Sequence, residues 1–395
     1  MTDPSQAKKP VLIIDGYGFI FRAYHVQPPL NSPEGVPVGA IYGFTSMLLK
    51  IINEFKPQHA VIVLDHSGKN FRHDLYKEYK ANRPPAPDDL VVQLKLVEKA
   101  ARALNFTCLS KQGFEADDII ATLAKKANEI KKDALIISSD KDLMQLIDEH
   151  VKMYDPMKSK YIEEEDILKK FGVGADKVRE VQALMGDSSD NIPGVAGIGP
   201  KTASQLVNQF GDLEGVFASL DQVKSVRQRE LLSTYKENAL ISWQLVGLDN
   251  NVDVDRDIEN FHWRAPEISQ ISDFLNEYGF KSLHKRIENL FDIKIQAQAS
   301  ASGNSDSEKL HSAPVKKQSS PIKIEHQEQL SKVIAKIKED GIVAVVIDSD
   351  GNIILSDMRG SYIVSYEKTS ELAGGGDLFS YHNAQKTTAN FNQQL

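Results

Sequence analysis

The chain has 395 residues, of which 41% are apolar and 26% are charged, and its formal net charge is −8. This composition is typical of a globular protein of two or three domains, and every apolar run is shorter than the roughly 18 residues of a membrane span. Because Cys108 is the single cysteine, an intrachain disulfide and a thiolate metal cluster are both excluded. The N-terminus lacks signal-peptide architecture, so a cytoplasmic protein with no membrane partner is expected.

Short apolar runs alternate with segments of helical periodicity through the first 155 residues. Strands are predicted at 11–15, 59–65, 105–109, 134–140 and 150–155, and helices at 37–55, 88–104, 116–130 and 141–148. Such alternation predicts a parallel sheet covered by helices on both faces. The predicted fold class is therefore α/β, followed by a mostly helical segment from about 163 to 290.

Acidic residues stand at the ends of these predicted strands. Asp15, Asp65 and Asp140 are the last residues of three of them, with Asp142 just beyond the third, and Asp155 ends another. Sites in open α/β sheets form beyond the carboxyl ends of the strands, so the first three side chains are expected at one edge. An aspartate in this position also caps a following helix in many proteins, an alternative that weakens when three strands share the pattern.

The stretch "GFEADDII" (113–120) places Glu115, Asp117 and Asp118 within four positions at the predicted start of a helix. The helix dipole favours carboxylates there, but capping needs only one or two of them. Helical spacing puts Glu115 and Asp118 on one face and Asp117 on another. A cation would offset the repulsion of three like charges, and Mg²⁺ prefers such oxygen ligands.

Carboxylates from the whole N-terminal half form a candidate metal site that is too large for one Mg²⁺ and suits two ions with outer ligands. Two neighbouring divalent ions are a device for phosphodiester hydrolysis, and Mn²⁺ could replace Mg²⁺ in an oxygen-ligand site. No cluster of His and Cys competes for a zinc interpretation. The candidates are Asp15, Asp65, Glu115, Asp117, Asp118, Asp140, Asp142, Asp187 and Asp190.

The stretch "GVAGIGPKTA" (194–203) is a glycine-rich turn between two predicted helices. Gly197 and Gly199 let the backbone approach a phosphate, and the second helix presents free N–H groups there. Lys201 and Thr202 add a charge and a hydroxyl at the same place. Because no strand precedes the glycines and the P-loop pattern is absent, a clamp on a DNA backbone remains the best interpretation.

Residues 69–83, "KNFRHDLYKEYKANR", form a basic arm with a net charge of +3 and interleaved aromatic rings. Cations that follow phosphates and rings that stack on bases suit a single-stranded polynucleotide. A solvated surface helix is the alternative. The position of the arm just after Asp65, at the expected carboxylate edge, favours nucleic acid.

Five motifs occur in one order: "VLIIDGYGFIFRAYH", "VIVLDHSGKNFRHDLYKEYKANRPPAP", "GFEADDIIATLA", "ISSDKDLMQL" and "MGDSSDNIPGVAGIGPKTA". Together they closely resemble the 5′→3′ exonuclease domain of bacterial DNA polymerase I, a relative of flap endonucleases. The resemblance covers roughly residues 10–290. It implies a two-metal hydrolysis of phosphodiester bonds in DNA and RNA primers, as 5′→3′ exonuclease and 5′-flap endonuclease, in primer removal and excision repair.

The resemblance also implies an architecture and partners. A PIN-like nuclease domain is expected over 1–172 with a helical arch at 69–92, and a helix–three-turn–helix DNA-binding region, of the helix–hairpin–helix type, over 173–290. Family members often bind K⁺ at the hairpin glycines, which match Gly197 and Gly199. The protein is expected to be a monomer associated with the bacterial nucleoid. Its expected partners are DNA 5′ flaps, nicks and ends and RNA–DNA primer junctions. A separate DNA polymerase is left open as a partner.

Motif matching carries the residue roles of the family onto this chain. The resemblance implies that the nine carboxylates above bind metal. It implies that Arg72, Lys80 and Arg83 of the arch steer the scissile phosphate, with Tyr79 beside them. Arg22 resembles a further phosphate contact near the metals.

The C-terminal quarter departs from the family pattern. Residues 291–321 are rich in Ser, Ala, Gln and Lys and predict a flexible linker. Residues 322–395 resemble only the beginning of a proofreading domain, with a helix near 325–339 and a strand-turn-strand in "GIVAVVIDSDGNIIL". Since the Asp-x-Glu pair of that domain is not matched, neither proofreading nor polymerisation is expected of this chain.

Two other classes of function stay open. One is a nuclease fold with a dead site that only binds DNA, and the complete carboxylate set argues against it. The other is a metal-dependent phosphatase for small molecules, which would need neither the glycine turn nor the basic arm.

Overall fold

The structure is a computed structural model that describes residues 9–292 and, beyond them, four strands within 322–364. The chain divides into two compact units, residues 1–299 and 300–395. The predicted linker from 293 onward and the helix predicted near 325–339 lie outside the described residues, and residue 291, where the linker was predicted to begin, is the last residue of a helix. No helix in the described part of the chain is long and apolar enough to cross a membrane.

A six-stranded sheet forms the centre of the first unit, in the order β3-β2-β1-β4-β5-β6. Its strands are β1 (Val11–Asp15), β2 (Ala60–Val63), β3 (Thr107–Leu109), β4 (Ala134–Ile137), β5 (Val151–Asp155) and β6 (Lys160–Tyr161). The first five strands are parallel, and the short β6, which the sequence did not predict, pairs antiparallel with β5. The predicted parallel sheet is confirmed. Strands β2 and β4 end before Asp65 and Asp140, so these two residues lie beyond the strands and not within them.

The central strand β1 shows why the strands of this sheet are continuous apolar runs in the sequence. All five of its residues are buried. Val11 and Ile13 pack into the core on one face, and Leu12 and Ile14 pack into the core on the other. A strand that is covered on both faces has no solvent-facing positions, so polar residues are confined to its ends.

Helices of the N-terminal half cover the sheet. They are α1 (Gly16–Val26), α2 (Gly39–Phe55), α3 (Phe71–Leu75), α4 (Asp88–Leu94), α5 (Val97–Ala103), α6 (Ala116–Glu129) and α7 (Glu164–Phe171). The helix predicted at 88–104 is divided into α4 and α5, and the one predicted at 141–148 is a 3-10 helix (Lys141–Leu146). Helix α1 was not predicted, because two glycines occupy its first turn; it starts where the carboxylate of Asp15 accepts a hydrogen bond from the N–H of Gly18.

The predicted helical segment is confirmed. It contains α8 (Val178–Met185), α9 (Pro200–Phe210), α10 (Leu213–Ala218), α11 (Val226–Thr234), α12 (Lys236–Val246), α13 (Ile268–Tyr278) and α14 (Lys281–Phe291). Buried side chains of α8 to α12 extend the core on one sheet face, whereas those of α13 and α14 join the core on the other. These helices therefore complete the packing around the sheet.

The second unit contains a four-stranded sheet in the order β7-β10-β9-β8. Its strands are β7 (Ile322–Ile324), β8 (Ala344–Ile347), β9 (Ile353–Asp357) and β10 (Gly360–Val364). Strands β8 and β9 pair antiparallel, which confirms the predicted strand-turn-strand.

Candidate active site

A cavity of about 450 Å³ opens beyond the carboxyl ends of β1, β2 and β4. It is the meeting point of residues that are far apart in the sequence, as the parallel topology predicts. Its walls carry eight of the nine candidate carboxylates: Asp15, Asp65, Glu115, Asp117, Asp140, Asp142, Asp187 and Asp190.

The sheet edge supplies Asp15 and Asp65 in fixed positions. Asp15 is buried, and its carboxylate accepts hydrogen bonds from the N–H of Gly18 at 3.1 Å and from the hydroxyl of Ser138 at 2.8 Å. Asp65 accepts from the N–H of Ala116 at 2.8 Å. Burial, together with the charges of neighbouring carboxylates, raises the pKa of Asp15 to about 6. Asp15 therefore also caps α1, the helix that follows it, and Asp65 binds the first N–H of α6.

Asp117 is repelled by several neighbouring carboxylates of the cavity. Its side chain lines the cavity, and the carboxylate accepts no hydrogen bond from a described residue. Burial raises the pKa of Asp117 well above its usual range, and the nearby carboxylates, first Asp140 and then Asp15, raise it further. This is the electrostatic signature of a position that a cation would stabilise.

Asp118 does not reach the cavity, which corrects the prediction that it binds metal. The side chain is 0% exposed. Its two oxygens accept four hydrogen bonds: two from Arg72, one from the N–H of Glu115 and one from the N–H of Asp249. Glu115 and Asp118 meet in a capping box at the start of α6 rather than on a shared helical face, because Glu115 is the N-cap and lies outside the helix. The helix therefore turns Asp117 toward the cavity and Asp118 into the protein.

Arg72 likewise differs from its predicted role as an arch residue that steers the phosphate. It is 1% exposed, and its guanidinium donates to Asp118 at 2.7 and 2.8 Å. The same group donates to the backbone carbonyls of Leu245 and Gly247, at the end of α12. Because these partners saturate most of its N–H groups, Arg72 holds α6 and α12 together and is not available to a ligand.

Glu115 is held by the basic arm. It accepts hydrogen bonds from Asn70 at 2.8 Å, Lys80 at 2.6 Å and the hydroxyl of Tyr79 at 3.0 Å. Burial alone would raise the pKa of Glu115, but Lys80 and Arg72 outweigh it, so the pKa lies below its usual range. Glu115 therefore remains ionised beside these cations.

Tyr79 was expected among rings that stack on bases, and the structure corrects this. Its side chain is only 3% exposed and packs into the hydrophobic core. Burial, with Glu115 next in effect, raises the pKa of Tyr79 above its usual range. The phenol therefore stays protonated as a donor to Glu115, and its buried ring cannot meet a base.

The loop between α8 and the glycine turn supplies Asp187 and Asp190. Asp187 forms an ion pair with Lys141, and Asp190 forms one with Arg83. Burial would raise the pKa of Asp187, but Lys141 overcomes this effect and lowers it. Lys141 was not singled out from the sequence, although a cation between two aspartates in "SDKDL" was a usable signal.

The basic arm is docked on this loop rather than standing free. Asn82 donates to the carbonyl of Ser188 at 2.7 Å, and Asn191 donates to the carbonyl of Glu78 at 2.7 Å. The N–H of Lys80 donates to the carbonyl of Asp190 at 2.9 Å. Between 69 and 92 the chain is helical only in α3 and the first turns of α4, so the expected helical arch is here mostly a turn closed over the acidic cavity.

Arg22 does not line the cavity, unlike Phe21 before it. It lies in α1, half-buried, and its Nε atom is buried without a hydrogen-bond partner among the described residues. The structure therefore does not bring Arg22 to the carboxylates.

The glycine turn has the predicted helix–turn–helix setting. Helix α8 precedes it, and α9 begins after its N-cap, Gly199, with Pro200 in the first turn. Gly197 has a φ of +84°, and Lys201 is exposed beside the half-buried Thr202. These groups lie outside the cavity lining, and K⁺ binding at the turn stays a prediction.

Replacing Gly194 with alanine should destabilise the loop that carries Asp187 and Asp190. Gly194 has a φ of +58°, and an added Cβ would lie 2.4 Å from the backbone nitrogen of Gly186. We expect a loss of about 1–3 kcal/mol in the free energy of unfolding, measured by urea denaturation. Gly199→Ala is the matched control, because an added Cβ meets nothing within 4 Å there. Equal stability of the two variants would contradict this steric role of Gly194.

The cavity carboxylates fall into two groups with different electrostatics. Glu115, Asp187 and Asp190 are paired with cations of the protein. The others lie at the sheet edge without such a pair among the described residues: Asp15, Asp65, Asp117, Asp140 and Asp142. Burial, followed by the charge of a neighbouring carboxylate, raises the pKa of Asp142 to about 6.

The unpaired group fits divalent metal ions by its donor chemistry. All of its donors are oxygens, and mutual repulsion is relieved when a hard cation binds. Among the described residues, no group of three or more His, Cys, Asp or Glu side chains is arranged to hold a metal ion by itself. Mg²⁺ in proteins keeps several waters and uses one or two carboxylates together with substrate phosphates.

Two sequence profiles match consecutive parts of the chain. The profile described as "5'-3' exonuclease, N-terminal resolvase-like domain" matches residues 10–172, and "5'-3' exonuclease, C-terminal SAM fold" matches residues 173–269. The chain is 36% identical over 283 residues to a 5′-3′ exonuclease of Aquifex aeolicus, covering 72% of this chain and 96% of that protein. It is 41% identical over 295 residues to DNA polymerase I of Rhizobium leguminosarum, covering 73% of this chain and 29% of the polymerase.

Solved structures share the fold. A 5′-exonuclease of bacteriophage T5 with bound zinc has a TM-score of 0.53 at 21% identity, over 72% of this chain and 99% of that one. A flap endonuclease of bacteriophage T5, in a complex with DNA and metal ions, has a TM-score of 0.50 at 21% identity, over 72% and 98%. At such identities the likeness shows the fold alone.

Sites of open α/β sheets lie beyond the carboxyl ends of the strands, and carboxylates gathered there suit two-metal chemistry, as in the class of hydrolases that cleave phosphodiester bonds. The relatives agree with that class, since one of them is a free-standing enzyme that this chain spans almost entirely. The chain belongs to the 5′-3′ exonuclease family.

Proposed function

We propose that the acidic cavity hydrolyses phosphodiester bonds at 5′ flaps, nicks and ends of DNA, and at RNA–DNA primer junctions, with two Mg²⁺ or Mn²⁺ ions. The observation that carries this proposal is the ring of eight carboxylates around one cavity at the sheet edge. The family membership supports the reaction type, and a T5 relative in complex with DNA supports the class of substrate.

Roles follow from the two groups of carboxylates. Asp15, Asp65, Asp117, Asp140 and Asp142 would hold the metal ions, because they lack cationic partners among the described residues. When bound, the ions would supply a hydroxide nucleophile and stabilise the charge of the leaving oxygen. In the metal-free protein, burial and the repulsion among these side chains keep the pKa of Asp15 and of Asp142 near 6.

The arm cations would hold the phosphate. Lys80 and Arg83 contact Glu115 and Asp190 at the cavity wall, and Arg83 is half-exposed. A phosphate entering the cavity offers these cations an alternative anionic partner. Lys80 and Arg83 could then move from their carboxylates to the phosphate without any change in their own charge. The glycine turn, with Lys201 beside it, would bind the DNA backbone at a second place, outside the cavity.

A labelled duplex with a 5′ flap tests this function. We expect cleavage near the flap junction with Mg²⁺ and none with EDTA. Binding without cleavage at any metal concentration would favour a DNA-binding module with a dead site. Hydrolysis of a small phosphomonoester without flap cleavage would favour a phosphatase.

A Lys80→Ala variant should slow flap cleavage by roughly 10- to 100-fold while weakening duplex binding much less, since one phosphate contact near the reacting bond is lost. The measurement compares kcat with the Kd from fluorescence anisotropy. Lys77→Ala is the matched control, because Lys77 is an exposed arm lysine that does not line the cavity. An unchanged rate for Lys80→Ala, or equal effects of both variants, would contradict the role.

A further inference from the structure

Five cations border the acidic cavity, and one of them lacks a partner among the described residues. The paired ones are Arg72 with Asp118, Lys80 with Glu115, Arg83 with Asp190, and Lys141 with Asp187. Lys170 also lines the cavity, yet its ammonium forms neither an ion pair nor a hydrogen bond with a described residue. Lys170 has no role in the motifs of the family or in the proposed reaction.

The electrostatic surroundings of Lys170 are unfavourable for a cation. Burial lowers the pKa of Lys170, and the charges of Lys141 and Lys158 lower it further, whereas Asp142 and Asp140 oppose this effect less strongly. The fold therefore holds a positive charge that is partly desolvated and repelled by two other lysines. An added anion at this place would relieve both costs.

A purely structural role for Lys170 would apply equally to the preceding residue. Lys169 and Lys170 both lie in the last turn of α7, where the helix dipole favours cations. Only Lys170 borders the cavity. Both lysines are exposed, and Lys169 also has no hydrogen bond or ion pair with a described residue, so the two differ chiefly in whether they border the cavity.

We propose that Lys170 binds a non-bridging phosphate oxygen of the nucleic-acid strand in the cavity, on the side of Asp140 and Asp142. This rests on the proposed function, which places a nucleic acid there. The arm cations contact Glu115 and Asp190, whereas the carboxylates whose charges act on Lys170 are Asp142 and Asp140, so Lys170 would meet the strand at another part of the cavity wall. A lysine suits this task because its ammonium is a compact point charge that needs no fixed bidentate geometry.

The salt dependence of binding tests the contact. The full chain binds a fluorescent 5′-flap duplex in EDTA, and anisotropy gives Kd over a range of salt concentrations. For Lys170→Gln we expect Kd to rise roughly tenfold and the slope of log Kd against log salt to fall by about 0.7–0.9, the value of one lost phosphate contact. Lys170→Arg should restore the slope, and Lys169→Gln should match the wild type.

Two further measurements distinguish a phosphate contact of Lys170 from a role in folding or in the chemical step. Thermal unfolding of Lys170→Gln should occur at the wild-type temperature or slightly above it, since the ammonium pairs with no described residue and is repelled by two other lysines. With Mg²⁺, KM should rise more than kcat falls. An unchanged salt slope in Lys170→Gln, or an equal loss in Lys169→Gln, while the wild type binds and cleaves flaps, would overturn the proposal. Failure of the wild type itself to bind or cleave would refute the proposed function, and the proposal on Lys170 with it.

Discussion

An Asp117→Asn variant should lose flap cleavage by at least about 100-fold, since removal of even an outer metal partner costs 10- to 100-fold. The same variant should be more stable than the wild type without metal, by roughly 0.5–2 kcal/mol. The reason is that Asp117 is half-buried beside like charges and its carboxylate accepts no hydrogen bond from a described residue, so an isosteric amide relieves repulsion. Flap cleavage with Mg²⁺ and urea unfolding in EDTA measure the two effects.

Asp118→Asn is the matched control, one residue further along α6. Its carboxylate faces away from the cavity and accepts four hydrogen bonds, two of them from Arg72. We expect this variant to lose stability, because an amide cannot accept both guanidinium hydrogen bonds. If Asp118→Asn kept its stability and Asp117→Asn kept its activity, the assigned orientations of both side chains would be wrong.

The stabilising effect of Asp117→Asn should depend on pH with a defined sign. Burial and the neighbouring carboxylates raise the folded-state pKa of Asp117 well above 3.8, the ordinary pKa of an aspartate, which it has in the unfolded chain. A carboxyl with a raised folded pKa contributes stability below its unfolded pKa and loses it as pH rises through the folded pKa. The melting temperatures of variant and wild type in EDTA should therefore agree near pH 4 and diverge as pH increases. A constant difference at all pH values would contradict this linkage.

An Arg72→Met variant should lose about 3–5 kcal/mol in the free energy of unfolding, because it leaves the charge of Asp118 buried and unpaired. The guanidinium also binds the carbonyls of Leu245 and Gly247, so the end of α12 loses its partner. Urea denaturation measures the loss. A phosphate-steering arch residue would behave differently, with slower cleavage and unchanged stability.

A second substitution separates the lost ion pair from the lost contacts to α12. In Arg72→Met with Asp118→Asn, the buried charge is gone, and we expect part of the stability to return relative to Arg72→Met alone. No recovery in the double variant would show that the loss comes from the α12 carbonyls rather than from the ion pair.

Much of the fold and part of the site could be predicted from local sequence. Apolar runs alternating with helical periods determined the parallel sheet, and parallel strands place their carboxyl ends at one edge. Asp15, Asp65 and Asp140 could therefore be placed together without a structure. The glycine turn between α8 and α9 was also readable, because glycine and proline mark such turns locally.

The directions of neighbouring side chains could not be read in this way. Asp117 and Asp118 differ by about 100° around the helix axis, so the residue at which α6 begins decides which one meets the cavity. The sequence predicted a helix from 116, which is where α6 begins, but it did not show how the helix is turned about its axis relative to the cavity. A shift of one residue in that start exchanges the roles of two adjacent aspartates.

The sequence by itself determined the chemistry available to this protein: a surplus of oxygen ligands, a basic arm and the sheet that gathers them. Only the tertiary structure decided which charges are free. Arg72 and Tyr79 read as ligand-binding residues of the arm, yet packing buries both against α6 and its N-cap. Lys170 reads as one more helix-terminal lysine, yet the fold brings it to the cavity without a partner among the described residues. Pairing and burial depend on contacts between distant segments, which no local pattern records.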